Sequence, residues 1–551
     1  MSQQPAGRIV SLPPEMWENV FKHVRSGRNR KSICLVSRTW RAFMMPIMWE
    51  KFCTNLQETE TRKIVNLVNP NNGNLPYVRH LSIFLSKRVI LEEWADMCAV
   101  LRLLVTTIPN NRLQTFVTNI DVSSQDLILI LQTHQTLEKL SVPLVVKDTS
   151  EAASEAVSDE ISPANATWLV PAFANLKDLT AHTAASNVEQ SIKPYNFIIR
   201  NAPKLERLVI DRLLKDKTRR GYPNLSKLLP WGPSMPMPTT ITKLRFVDMN
   251  LGRESRALAQ ILRFEILETL AINKCLSVVP FLTAVASQLS RIQPALKKLY
   301  IILLYSLPEG PDTLRAIENV LLSFPSLDTL VVDHDPNHLI SKESVMNHPD
   351  LKVLALPSTH AKDLHHHSIV DLRDMFQTCT KIEVLHLNLN LGRVSDACID
   401  LCETFRVGRF EGEGPDTEIE LLLGAIGTLP NLCVLRMTDL PNINYMSTWY
   451  SDPDNPFMIC IPPRVIPIAR ACMKNIATEI MRYLAACGSP IKLFTMNPYR
   501  VFLRPKPDLD GHTWPTYYYL RGRAFDGLGS EYVIVTPVPN INEEILRHGY
   551  L

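Results

Sequence analysis

A spaced pattern, apolar-x-x-apolar-x-apolar, recurs thirteen times along the chain and constrains its fold more than any other feature. The first eight copies are Val78/Leu81/Ile83, Leu113/Phe116/Thr118, Leu137/Leu140/Val142, Leu176/Leu179/Ala181, Leu205/Leu208/Ile210, Ile241/Leu244/Phe246, Leu267/Leu270/Ile272 and Leu296/Leu299/Ile301. Five more follow, at Leu327/Leu330/Val332, Leu351/Leu354/Leu356, Ile382/Leu385/Leu387, Leu432/Leu435/Met437 and Ile491/Phe494/Met496. The closing apolar-x-apolar alternates with period two, as a short half-buried strand does. Between copies run segments of helical period, such as Ala257, Ile261, Leu262 and Phe264, or Ile317, Val320, Leu321 and Phe324. Middle apolar residues are 24 to 39 positions apart as far as Leu385, then 50 and 59, which places insertions after residues 388 and 438.

Strand, loop and helix in repetition predict an α/β solenoid, an irregular leucine-rich repeat array. With 551 residues the chain exceeds what one conventional core can organise, whereas a repeat array extends along its axis without limit. The array is expected over 75–500, preceded by a linker helix at 53–74 and closed by a C-terminal cap at 501–551. Within the cap, YVIVTPV reads as a strand. The acidic, Ser/Ala-rich run KDTSEAASEAVSDEISP at 147–163 reads as a loop inserted in the array.

Several function classes find little support. The 59 basic and 55 acidic side chains nearly cancel, which argues against a general nucleic-acid-binding role. Eleven cysteines lie scattered with no C-x-x-C pair, and MSQQPAGRIVSLPPEMW has no apolar leader segment. Reduced thiols in the cytoplasm or nucleus are therefore expected. The most apolar stretch, Cys275–Leu289, is broken by Pro280 and flanked by Lys274 and Arg291, so no membrane span is expected. Phosphate-loop, nucleophile-elbow and HExxH patterns are missing from the sequence; neither an enzyme nor a cofactor is expected. Eight of the fourteen histidines fall between His334 and His386. Both a zinc site and a solvated polar loop remain open there, and the lack of finger-like spacing leaves no metal ligand assigned.

The N-terminal residues 9–52 carry a different pattern. Pro13 and Pro14 suit a first helical turn, Glu15 complements its positive end, and Trp17, Val20, Phe21 and Val24 share one face. A second helix is expected from about Ser32, with Val36, Trp40 and Phe43 on one stripe, ending before Pro46. A short last turn carries Met48, Trp49 and Phe52, and the basic run RSGRNRK is expected to join the first two helices as a loop. Such a short three-helix piece buries little core, and its apolar excess points to a docking partner.

This segment resembles an F-box. The family's Leu-Pro-x-Glu opening and its aliphatic/Phe pair are matched by Leu12, Pro13, Glu15, Val20 and Phe21. Its Val-Ser-basic-x-Trp-Arg half is matched by Val36, Ser37, Arg38, Trp40 and Arg41, with Trp49 as the closing tryptophan. With the downstream repeats, the chain resembles F-box/leucine-rich-repeat proteins. That resemblance implies an adaptor of a cullin–RING ubiquitin ligase. Leu12, Pro13, Glu15, Val20, Phe21, Val36 and Trp40 would contact the Skp-type linker, and the repeats would hold a protein substrate. A repeat scaffold acting outside any ligase is the alternative.

Residues flanking the apolar positions of each strand are expected on the exposed side of the array. Arg207, Lys243, Arg245, Lys298, Tyr300 and Asp333 then form a recognition strip, suited to a ligand with acidic or phosphorylated groups.

Overall fold

The computed structural model describes residues 13–24, 27–55, 66, 69, 71–84, 91–144, 167–183, 188–212, 237–252, 255–303, 310–334, 339–357, 367–388, 398–400, 418–438, 442–444, 451–452, 455–459, 466–497 and 517–538. The chain forms two compact units, Met1–Met249 and Asn250–Leu551. The 147–163 segment and Leu12 lie outside the described residues.

The first unit opens with helices α1 (Pro14–Lys22), α2 (Gly27–Val36) and α3 (Arg38–Trp49). Three expectations change here. The helix predicted from Ser32 is two helices, because Ser37 is extended and its hydroxyl accepts the Trp40 amide at 3.1 Å as an N-cap. Gly27–Lys31 of the basic run is the first turn of α2 rather than loop, in keeping with the good helix propensity of Arg and Lys. Finally, α3 continues through Pro46 to Trp49. Proline there removes one backbone donor, yet the Pro46 carbonyl still accepts from Glu50 at 3.0 Å. Trp17, Phe21 and Trp40 meet at ring-centroid distances of 5.2–5.5 Å and form the module's centre, with Met44 buried on α3.

Strands β1 (Lys51–Asn55), β2 (His80–Phe84), β3 (Thr115–Thr118), β4 (Lys139–Pro143), β5 (Asp178–Thr183), β6 (Arg207–Arg212) and β7 (Lys243–Val247) follow. They pair in parallel, each with the next in sequence. The sheet thus begins at Lys51, earlier than the expected residue 75. Cys53–Asn55, the start of the predicted linker helix, are strand, and 56–65 lie outside the described residues.

The second unit holds β8 (Thr269–Asn273), β9 (Lys298–Ile302), β10 (Thr329–Asp333), β11 (Val353–Leu356), β12 (Val384–Asn388), β13 (Cys398–Asp400), β14 (Val434–Thr438), β15 (Asn442–Asn444), β16 (Ser451–Asp452), β17 (Asn455–Ile459), β18 (Leu493–Asn497), β19 (Tyr517–Phe525) and β20 (Glu531–Val538). The order β8-β9-β10-β11-β12-β14-β18 is parallel, and β19 and β20 complete it antiparallel. Helical segments alternate with the strands, and successive helices such as Val278–Leu289 and Gly310–Leu322 lie against one another. Both units are therefore α/β, a mostly parallel sheet with helices between the strands.

All thirteen motif copies end on strands of these ladders. Leu81, Phe116, Leu140, Leu179, Leu208 and Leu244 are in one register in the first unit. Leu270, Leu299, Leu330, Leu354, Leu385, Leu435 and Phe494 are in one register in the second. Each is buried, as is the apolar residue three positions earlier in every copy. Burying one such side chain contributes roughly 1.5–3 kcal/mol, so in-register stacking of identical positions generates the core.

A backbone rung fixes the stagger. The carbonyl just before a strand accepts two consecutive amides of the next: Glu50 from Arg79 and His80, Glu138 from Lys177 and Asp178, Lys297 from Asp328 and Thr329. Side chains at this rung alternate in sign over much of its length. They run Glu138, Lys177, Glu206 in the first unit and Glu268, Lys297, Asp328, Lys352, Glu383 in the second. Lys177 Nζ lies 3.1 Å from Glu138 Oε2. Opposite charges on neighbouring strands favour this register.

At the C-terminal end, Gly488 (φ +82°) stops the helix Ile466–Ala486, and Ser489 donates back to the Leu484 carbonyl at 2.9 Å. YVIVTPV lies within β20 as expected. Arg482 of that helix donates to the Val533 carbonyl at 2.9 Å and stacks over the Tyr532 ring, covering part of the last strand.

Candidate functional site

In the first unit, the strand positions that alternate with the core positions form a mostly polar face, part-exposed except at Ser141, Pro143 and Val209, which are buried. The leading position of each strand runs in register as Lys51, His80, Thr115, Lys139, Asp178, Arg207 and Lys243. Two positions on, Ser141, Thr180, Val209 and Arg245 are aligned; beyond them come Pro143, His182, Asp211 and Val247.

Asp178 is the hub of this face. Its Oδ2 lies 3.1 Å from Lys139 Nζ and 3.1 Å from Arg207 Nη1, so one carboxylate serves two cations from the strands on either side. A second chain of contacts crosses the same strands. Ser141 Oγ is 3.1 Å from His182 Nε2, and His182 Nδ1 is 3.7 Å from Asp211 Oδ2. Arg245 is half-buried, and its guanidinium is held below its ordinary pKa by burial and by Arg207, against the opposing pull of Asp211.

The order Ser–His–Asp invites comparison with a nucleophilic triad, which also needs donors for an oxyanion. Ser141 is buried within β4, and that central strand is paired on both sides in the ladder. These contacts link β4, β5 and β6 across the face.

The sequence-derived strip divides between the units. Arg207, Lys243 and Arg245 sit together on β6 and β7 in the first unit; Lys243 is directly opposite Arg207. Lys298, Tyr300 and Asp333 sit on β9 and β10 in the second, with Lys298 exposed and the other two half-buried. Tyr300 is pushed above its ordinary pKa by burial and by Asp328. Elsewhere in that unit Ala271, Val331, Ala355, His386 and Thr495 of the corresponding column are buried, while Arg436 is half-buried. Burial, with Arg436 on the neighbouring strand, holds His386 well below the usual imidazole range.

Lys139, Ser141, Asp178 and His182 had not been singled out from the sequence. Aligning the thirteen motif copies by their middle apolar residue places Lys139, Asp178, Arg207 and Lys243 in one column, so the signal is present once the register is assumed.

In the N-terminal module the linker-contact residues separate by exposure. Pro13 and Glu15 are exposed, as are Met16 (50%), Val20 (47%), Leu35 (88%) and Val36 (62%). Phe21, by contrast, is 2% exposed, and Trp40 joins it in the aromatic centre. Within this chain those two side chains serve the module's own packing.

Of the histidine-rich stretch, His334, His348, His367 and His386 are described, and His367 lies near enough to Asp371 and His334 to feel their charge. His348 is buried against Phe324 with ring centroids 5.4 Å apart, and burial pushes its imidazole down to about 4. His338, His360, His365 and His366 lie outside the described residues. Among the described residues, no three His, Cys, Asp or Glu side chains converge as a metal site. No described helix is long and apolar enough to cross a membrane.

No protein-family profile matches the chain, and a search of curated proteins finds no significant relative.

Proposed function

We propose that the chain is a substrate-recruiting adaptor of a cullin–RING ubiquitin ligase. Its N-terminal module would be an F-box that binds the Skp-type linker, and its strands a leucine-rich repeat array that holds a protein substrate. The observation that carries this reading is the inside-out character of the module. Its aromatic side chains pack together, while Met16, Val20, Leu35 and Val36 remain at the surface. An apolar surface on so small a module is stabilised by a partner that covers it. The part-exposed face of β4–β7 supplies a second, mostly polar surface on the same chain. An adaptor with two such surfaces contributes proximity, leaving bond-making to the ligase's other subunits.

Co-expression with a Skp-type linker tests this reading. The parent chain is expected to co-elute with the linker and, through it, with the cullin, whereas a Val20→Glu/Leu35→Glu variant elutes alone. If neither associates, the reading is wrong and the repeat scaffold outside a ligase takes its place.

A further inference from the structure

We infer that β20, the last strand of the second unit's sheet, is a self-association edge at which two copies of the chain pair antiparallel about Val533. The inference stands apart from the adaptor reading and uses a different part of the molecule.

The direction of the backbone groups makes the first argument. β20 ends the sheet order, and among the described residues no strand lies beyond it. The Arg521 amide donates to the Lys492 carbonyl at 2.9 Å, so this residue of β19 turns its backbone polar groups toward β18. Its register partner on β20 is Val535. Opposed residues of an antiparallel pair either exchange both bonds or turn both sets of groups away. Glu531, Val533, Val535 and Pro537 therefore point their backbone groups outward, off the sheet. The Val533 carbonyl, which accepts from the exposed Arg482 at 2.9 Å, fits that direction. Pro537 fits it as well, because an edge position facing away from the ladder tolerates the missing N–H.

The edge is poorly guarded. Such strands are usually blunted by lysines, a bulge or shortness. β20 is eight residues long, pairs with β19 in unbroken register and carries no lysine. Its surroundings are apolar. Of the twelve large apolar side chains exposed among the described residues, four lie on this hairpin: Leu520, Phe525, Leu528 and Tyr532. Leu528 at the turn is 93% exposed. A concentration of this kind marks an interaction surface, whereas single exposed residues do not.

The strand's own sequence points to the occupant. Antiparallel pairing about Val533 sets Val533 against Val533, Glu531 against Val535 and Tyr532 against Ile534. The outward amides of Glu531, Val533 and Val535 on each copy then all donate to outward carbonyls of the other. Pro537 falls past the last of these bonds. Tyr532 and Ile534 become aromatic–β-branched cross-strand pairs, formed twice by symmetry. No like charges meet, because Glu531, already paired with Arg523 at 3.1 Å, opposes Val535. A two-fold register that uses every outward amide favours a second copy over an unrelated extended segment. The paired edge is short, so the dimer is weak and depends on concentration.

Sedimentation of the full chain over about a hundredfold range of concentration tests the inference. The mass is expected to climb from 62.5 kDa toward twice that value. Val533→Pro removes the central amide at an outward position and should stay monomeric throughout. Arg482→Ala frees the Val533 carbonyl and should tighten the dimer about tenfold. Val533→Cys brings two thiols onto the symmetry axis, with Cα atoms about 5.5 Å apart, and should cross-link to itself under mild oxidation. The parent chain, oxidised alongside, controls for the exposed Cys53 and Cys487. A parent that stays monomeric overturns the inference, as does a Val533→Pro variant that dimerises like the parent. Dimers in which the Val533→Cys thiols do not join place the contact elsewhere and overturn it too. The cross-link reads the register directly, so misfolding of the proline variant leaves the test intact.

Discussion

Asp178 on β5 and Arg207 on β6 stand in register on adjacent strands, with Oδ2 and Nη1 3.1 Å apart. The next residue in that register is Lys243, which meets Arg207 with like charge. One guanidinium therefore has a carboxylate on one side and an ammonium on the other.

This asymmetry should be readable in stability. Lys243→Glu replaces a repulsive cross-strand pair with an attractive one and is expected to raise stability by about 0.5 kcal/mol. Denaturant midpoints of parent and variant check this; a lower midpoint would contradict the account of the corner.

The N-terminal module should separate surface from core. Phe21→Ala removes a buried ring and is expected to destabilise the module by about 3–5 kcal/mol, lost as helical signal on heating. Val20→Glu should leave that signal within about 0.5 kcal/mol of the parent, since the side chain is half exposed. Circular dichroism of a chain carrying each change distinguishes them. Equal loss in both would place Val20 in the core instead.

Repeat registry should depend on the middle leucines and little on the rung charges. Leu330→Ala, at a fully buried position, is expected to cost about 2–5 kcal/mol. Lys177→Gln breaks a half-exposed ion pair to Glu138 and should cost at most about 1 kcal/mol. Guanidinium titrations of the two variants give the comparison, and similar losses would mean that the rung rather than the core sets the stagger.

Acid should weaken the fold before the carboxylates titrate. Burial lowers the pKa of His134, His348 and His386, with His348 at about 4. A buried neutral histidine binds fewer protons when folded than when unfolded. Its contribution is complete above the unfolded value near 6.5 and is lost as pH falls from there toward 4. For His348 the full loss is on the order of 3 kcal/mol. Thermal midpoints of the parent should fall between pH 6.5 and 4, and His348→Gln, which cannot titrate, should flatten part of that slope. An unchanged slope would assign the acid sensitivity to other groups.

The sequence revealed the repeating strands well because period two and the regular apolar stack are both written into it. The first strand escaped because Trp49, Phe52 and Thr54 fit the motif yet also fit the end of the helical module. Ser37 likewise reads as an ordinary helical residue until its capping bond to Trp40 is seen. The face was less legible than the core. Asp178 joins Lys139 and Arg207 from 39 and 29 residues away, and only the inter-strand register brings them together. Burial of Val331, Ala355 and His386 could not be read at all, because alternation identifies the two sides of a strand and not what covers each.

The most direct test of the adaptor function is a calorimetric titration of a Skp-type linker into the purified full chain. The account expects saturable one-to-one binding by the parent, and none by a folded Val20→Glu/Leu35→Glu variant. Parent and variant binding alike, or neither binding, would contradict it.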